Sequence, residues 1–400
     1  MKIGLLREEK IPADKRVPLA PVQCRELMDQ YQGLTVVVQP SDIRAFTDEE
    51  YLQQGVVLQE DLSDCDLLMG VKEVPKDKLI AGKRYLFFSH THKRQPYNRA
   101  LLQEAIRKNI ELIDYELITD AGQKRLIGFG RYAGIVGAYN GFLAWGKKTG
   151  AYELKPAHLC ADKNELEREL KKIVLPKNFK LVFTGGGRVG GGTAEILHAM
   201  GISQAFPIDI ITKTYDEPVF AQLNVEDYNE RLDGKPFKRT EFFKDPVGYR
   251  STFMQYADKV DMYIACHFWD NRSPFIFTRE DAKSPNFKIK VVADISCDID
   301  CAVASTLRAA TIEEPLYGYD PQREEVVDFL QPGSIGVMAV DNLPCELPRD
   351  ASFDFGNDLR HSVLKCFLES DPDRIIARAT IAKNGQLCSD FAYLSDWVAD

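Results

Sequence analysis

Short apolar runs bounded by polar residues recur along the chain. Lys2–Leu6 predicts a strand, Pro21–Gln32 a helix and Leu34–Gln39 the next strand. Val56–Gln59, Leu67–Gly70, Tyr85–Phe88 and Ile110–Tyr115 continue the strands, with a helix over Pro96–Lys108. Such alternation argues for a parallel, wound α/β domain. A helix of small residues follows over Tyr132–Lys148 (YAGIVGAYNGFLAWGKK), whose glycines and alanines admit close approach of another backbone. A polar helix at Lys163–Lys172 and a break at Leu175–Lys177 precede a second alternating block that opens at Phe179. Val291–Ser296 and Val337–Asp341 read as strands of that block, and Pro207–Gly248 reads as an insertion. A helix around Ser352–Ser370 and a polar tail end the chain. No repeat or low-complexity tract interrupts this pattern.

The second block opens with LVFTGGGRVGGGTAEILHAM, an apolar strand running into Gly185-x-Gly187-x-x-Gly190 and then a helical run. In this motif the first glycine permits a tight turn, the second lets backbone N–H groups reach a pyrophosphate, and the third lets helix pack on strand. Arg188 and Val189 complete the turn at the helix N-terminus, where the dipole favours an anion. NAD or NADP is the expected cofactor. Asp209 is the carboxylate near the spacing required for a ribose 2′-hydroxyl ligand. Arg188 and Lys213 could instead favour a 2′-phosphate, so the two dinucleotides stay open.

In the first block, four strand ends carry charged or polar residues: Arg16 in DKRVPLAP, Lys72-Glu73 in MGVKEVP, His90 and Lys93 in FFSHTHKRQ, and Glu116 in IDYELITD. The carboxyl ends of parallel strands face the crevice where ligands bind. A lysine and a histidine there can act as acid and base, and a half-buried lysine beside another cation loses its proton more readily. His92 lies two residues from His90, which on a strand means the same face, so either histidine could be the catalytic one.

The 400 residues carry 44% hydrophobic side chains and a net charge of −9. That balance gives no footprint for nucleic acid or an anionic membrane, and points to small-molecule substrates. Nine cysteines occur with no CxxC pair, and Cys297 and Cys301 lack a second pair to complete a zinc site. No metal is expected, and free thiols indicate a reducing compartment. The charged N-terminus does not read as a signal peptide, and no run has the ~20 apolar residues of a membrane span. These features predict a cytoplasmic protein of open oligomeric state.

The pieces KRVPLAP, MGVKEVP, YLFFSHTHK, ELIDYEL, FGRYAGIVGA, LVFTGGGRVGGG, VVADIS and VDNLPCELPRDAS resemble, in order, the lysine-forming saccharopine dehydrogenases. The likeness is greatest to the lysine–ketoglutarate reductase module of the two-enzyme lysine-degradation protein. No second, saccharopine-cleaving domain is expected in this chain. Alanine dehydrogenase shares the fold with a weaker likeness. The resemblance implies two Rossmann-like domains with parallel sheets and an interdomain cleft. The substrate domain would be discontinuous, 1–140 and 341–400, and the dinucleotide domain would span 141–340. It also implies the reduction of an imine of lysine and 2-oxoglutarate to saccharopine, and the reverse. Lys72 and His90 would be the acid–base pair, tuned by Glu73 and Glu116. Arg16, Lys93 and Arg125 would hold substrate carboxylates. Arg131 stands where the family more often has an aromatic or amide residue, and could alter that pocket. Asp341, Asn342 and Leu343 would lie near the nicotinamide. Another amino-acid or imine dehydrogenase, such as alanine dehydrogenase, or a non-catalytic dinucleotide-binding regulator are the alternatives.

Overall fold

The computed structural model describes residues 1–399. The chain divides into two compact units, one formed by Met1–Phe129 and the chain from Pro348 onward, the other by Gly130–Leu347. The first unit opens with strands β1 (Lys2–Leu5), β2 (Thr35–Val38), β3 (Val57–Leu58), β4 (Leu67–Met69), β5 (Arg84–Phe87) and β6 (Glu111–Asp114). The second carries β7 (Lys180–Thr184), β8 (Ser203–Gln204), β9 (Val219–Leu223), β10 (Asn229–Arg231), β11 (Tyr249–Ser251), β12 (Met262–Ala265), β13 (Val291–Asp294), β14 (Leu316–Asp320), β15 (Glu325–Val327) and β16 (Ile335–Met338). The chain then returns to the first unit with β17 (Thr380–Lys383) and β18 (Gln386–Leu387).

Each unit holds one eight-stranded sheet, ordered β18-β17-β6-β5-β4-β1-β2-β3 in the first and β15-β14-β16-β13-β12-β7-β9-β8 in the second. β1 through β6 pair in parallel, as do β7, β8, β9, β12, β13 and β16. Their residues are buried almost without alternation, as strands covered on both faces must be. β1 lies between β2 and β4, and β7 between β9 and β12. Chain connections therefore leave each of these two strands in opposite directions, which opens a crevice at their carboxyl ends.

The sheets are mostly parallel, as expected of two Rossmann-like domains, with antiparallel strands at one edge, β14 and β15 in one and β17 and β18 in the other. Two sequence expectations are corrected. The stretch Pro207–Gly248 is not wholly an insertion. Its VFAQL is β9, a buried strand paired to β7, and only the β10–β11 hairpin forms a separate sheet. The polar tail contains β17, whose Thr380–Ala382 are buried against β6. β12, in DMYIACHFW, escaped the sequence reading because its polar flanks leave only a short apolar run.

The small-residue helix spans Gly130–Thr149, and the helix after the glycine loop spans Arg188–Ala199. They meet backbone to backbone. A Cβ on Gly134 would come 1.9 Å from the Val189 carbonyl oxygen, and one on Gly192 would come 2.0 Å from that of Arg131. Gly191 faces nothing within 4 Å. Overpacking at a close contact costs about 1–3 kcal/mol, whereas alanine at an open helical site gains about 0.5–1 kcal/mol. Gly134→Ala should therefore lower the urea midpoint of unfolding, and Gly191→Ala should leave it equal or raised.

Candidate active site

The polar residues of the first unit gather at the carboxyl ends of β1, β4, β5 and β6. Lys72 and Glu73 follow β4, and His90 follows β5 by three residues. His90 has φ of +52° and starts a short 3₁₀ turn over Thr91–Lys93. Because the strand has ended, His90 and His92 do not share a face. His90 Nδ1 pairs with Glu73 Oε1 at 2.7 Å. His92 instead has Nδ1 at 3.7 Å from Asp114 Oδ2 and Nε2 at 3.6 Å from Glu116 Oε2.

Glu73 is the joint of the first cluster, since its other oxygen accepts from Lys10 Nζ at 2.6 Å. Burial opposes its ionisation, but the bonds from His90 and Lys10 win and hold its pKa at about 2. Lys72 is mostly buried, and its ammonium has no hydrogen bond or ion pair among the described residues. Desolvation, then the neighbouring charges of Arg16 and Lys10, push its pKa down. A cavity of about 130 Å³ adjoins it, lined also by Glu8 and Glu73.

Arg16 is buried at 4% exposure and forks onto Asp14, with Nε at 3.0 Å and Nη2 at 2.6 Å from its two oxygens. Its guanidinium lies 4.2 Å from the Phe129 ring centroid. Lys93 and Arg125 both meet Glu116 Oε1, at 2.8 and 2.7 Å. Burial again opposes ionisation of Glu116, and these two cations overcome it. Lys72, Glu73, His90, Glu116, Arg16, Lys93 and Arg125 thus all belong to one unit. Arg131 belongs to the other, where it forks onto Glu195 at 2.6 and 2.8 Å. His92, Asp114 and Glu116 bring potential ligand atoms within 4.8 Å of one another. Asp114 Oδ2 already accepts the Ser89 hydroxyl and the Ser89 and His90 N–H groups, and Oδ1 accepts that of Glu116. Its carboxylate therefore serves as a frame for the loop rather than as an open ligand.

In the second unit, β7 ends at Thr184 and the glycine turn follows. Gly185 has φ of +94°, and a Cβ there would strike the Cys266 carbonyl at 2.6 Å. A Cβ on Gly190 would lie 2.0 Å from the Gly185 oxygen, whereas Gly187, the residue capping the helix, opens onto free space. Such a turn, open at the helix N-terminus and closed behind, fits a pyrophosphate. Arg188 and Val189 begin that helix. Asp341, Asn342 and Leu343 follow β16, where Leu343 is buried and Asn342 Nδ2 donates to Cys345 Sγ at 3.0 Å.

Asp209 is not at a strand end. It lies in the Pro207–Thr212 helix and pairs with Lys213 at 2.9 Å. Asn224 ends β9 beside the turn instead, its Oδ1 3.7 Å from where a Cβ on Gly186 would be. Reading β9 as an insertion hid this residue. Sequence reasoning also passed over Glu8, Lys10 and Asp14, although all follow the first strand. It missed His267 after β12, whose Nδ1 bonds Thr184 Oγ1 at 2.7 Å and whose pKa burial lowers to about 4. Cys297 donates to the Ala339 carbonyl, and burial pushes its thiol up to about 12, so it is no nucleophile.

Residues 4–136 match the family model for the N-terminal domain of alanine dehydrogenase and PNT. The mitochondrial alpha-aminoadipic semialdehyde synthase of Mus musculus is 30% identical over 98% of this chain and 47% of its own length. The chain thus spans about half the length of those relatives. The Emericella nidulans saccharopine dehydrogenase, named as NAD(+)-dependent and L-lysine-forming, is 25% identical over 90% of this chain and 91% of its own. Among solved structures, an L-alanine dehydrogenase superposes over the full length of both chains with a TM-score of 0.67 at 17% identity. No helix among the described residues is long and apolar enough to cross a membrane. Residues 4–136 thus match the alanine dehydrogenase and PNT N-terminal domain, the chain shares the alanine dehydrogenase fold, and it is a homologue of the saccharopine dehydrogenases and aminoadipic semialdehyde synthases.

Proposed function

We propose that this chain is a nicotinamide-dependent oxidoreductase that interconverts saccharopine with L-lysine and 2-oxoglutarate. The observation that carries the reading is the Lys72 amine. It is mostly buried, without an ion pair among the described residues, its pKa is lowered by desolvation and then by Arg16, and its chain neighbour Glu73 holds the His90 imidazole. Condensation of an amine with a ketone needs proton transfers at each step: onto the carbinol oxygen that leaves as water, and off the attacking nitrogen. Lys72 can accept and return a proton more readily than a solvated lysine because its charged form is disfavoured. His90, with Nδ1 held by Glu73, keeps Nε2 for the second transfer.

Arg16, Lys93 and Arg125 offer guanidinium and ammonium groups to the substrate carboxylates. Asp14 and Glu116 hold these cations in register. Gly185, Gly187, Arg188, Val189 and Gly190 would cradle the dinucleotide pyrophosphate, and Asp341, Asn342 and Leu343 would flank the nicotinamide. Arg131, paired to Glu195, would support the glycine-loop helix rather than the substrate. The bound dinucleotide would supply or accept the hydride. Asn224, in place of Asp209, would meet the adenosine ribose. Its neutral amide can bond a 2′-hydroxyl and does not repel a 2′-phosphate, so NAD and NADP both fit. The matching of residues 4–136 to the alanine dehydrogenase domain supports a second reading, with ammonia and pyruvate as substrates.

Reduced-nicotinamide absorbance, followed with L-lysine and 2-oxoglutarate and separately with ammonia and pyruvate, tests the assignment. Oxidation that requires both lysine and 2-oxoglutarate supports it, and oxidation only with ammonia and pyruvate replaces it. Lys72→Met should cut turnover by about 10²–10⁴-fold, the usual worth of an acid–base group, with dinucleotide binding measured by fluorescence unchanged. Asn224→Asp should raise KM for NADPH about tenfold or more, since it sets a carboxylate against the 2′-phosphate, and should leave KM for NADH within about threefold.

A further inference from the structure

Glu8 follows β1 and is buried, at 9% exposure. One of its oxygens accepts the backbone N–H of Val71 at 2.6 Å, and the other that of Lys72 at 2.8 Å. Both bonds cross from the end of β1 to the end of β4. A Cβ on Gly70 would lie 3.3 Å from Glu8 Oε1, so glycine at 70 leaves the carboxylate room to approach the strand end. The group thus fixes the backbone of the residue that carries the amine, and it lines the same cavity as Lys72 and Glu73.

Two N–H donors, one on each oxygen, require an acceptor at both positions. An ionised carboxylate provides this, whereas an amide sets an NH₂ against one donor and a protonated carboxyl offers that donor only the weaker acceptor of its hydroxyl oxygen. The groups facing Glu8 come from several elements. Asp14 and Arg16 lie on the loop after β1, and Lys72 and Glu73 follow β4. Tyr115, after β6, has its hydroxyl raised first by burial and then by the charge of Glu8. Lys10 completes the set through Glu73. Burial, followed by Asp14, raises the Glu8 pKa to about 7 against the two backbone bonds and Arg16.

We propose that Glu8 is a positioning residue whose carboxylate clamps the Val71–Lys72 backbone, holds the Lys72 amine at the cavity, and releases it on protonation. This rests on the reading of Lys72 as the working amine. The direction follows from the sign of the shift. Glu8 is ionised and the clamp closed above about pH 7, so turnover should fall below that pH.

The test uses the full chain with Glu8→Gln and Glu8→Asp. Two readouts are taken from pH 5 to 10: kcat with lysine and 2-oxoglutarate, and the rate of reductive methylation of Lys72 measured by peptide mass spectrometry, which needs no turnover. In the parent chain both should show an inflection near pH 7. Glu8→Gln should lose that inflection, lower kcat about tenfold with KM for the dinucleotide unchanged, and alter Lys72 methylation at pH 8 at least threefold. Glu8→Asp, which keeps both acceptors, should restore the inflection and part of kcat. If Glu8→Gln does not fold, the inflection in Glu8→Asp decides. An unchanged inflection and methylation rate in Glu8→Gln would overturn the proposal, as would equal loss in both variants. If the parent chain does not turn over lysine but Lys72 methylation still follows Glu8, the substrate reading fails and the clamp stands.

Discussion

Parallel strands deliver all their carboxyl ends to one edge of a sheet, and that constraint organises both halves of this molecule. At the edge of the first sheet it assembles carboxylates and cations from four strands that are far apart in sequence. At the edge of the second it sets a glycine turn against the end of the neighbouring β12. The crevice in each unit arises where the chain reverses its direction of winding, beside β1 and beside β7. Site and fold have the same cause, since the side chains of the site stand at the strand ends or on the loops that leave them.

Within the first crevice, the charges are paired so that one amine is left over. Glu73 takes His90 and Lys10, Asp14 takes Arg16, and Glu116 takes Lys93 and Arg125. Each pairing orders long side chains that would otherwise move freely, and each keeps a cation available to a competing carboxylate from a substrate. Lys72 has no such partner among the described residues, and of the charges around it the strongest is the cation Arg16, ahead of Asp14, Lys10 and Glu73. Low dielectric and like charge act on it in the same direction, which lowers its proton affinity without any change to its own chemistry.

Much of this was legible from the sequence because it follows simple periodicities. The glycine loop announced itself by a strand before and a helix after, and Lys72, His90, Arg16 and Glu116 by their place at strand ends. What failed did so for identifiable reasons. β9 hid behind a proline and two acidic residues, so Asn224, beside the glycine turn, went unread and Asp209, which lies in a helix, was taken instead. The equivalence of His90 and His92 assumed that a strand continued through them, whereas His90 turns into a left-handed conformation that aims the two rings at different carboxylates. Glu8 was missed because its role lies in bonds to backbone groups 63 and 64 residues away, which no local pattern encodes.

The return of the chain to its first sheet orders its biosynthesis. β6 is complete early, but its edge partner β17 is translated only after every strand of the second unit. Until then β6 presents a bare edge, open to pairing with other chains. The contiguous second unit has no such wait, and domains fold as units while the chain emerges. The half that carries the glycine turn is thus made whole first. The half that carries Lys72 is completed only once β17 follows it.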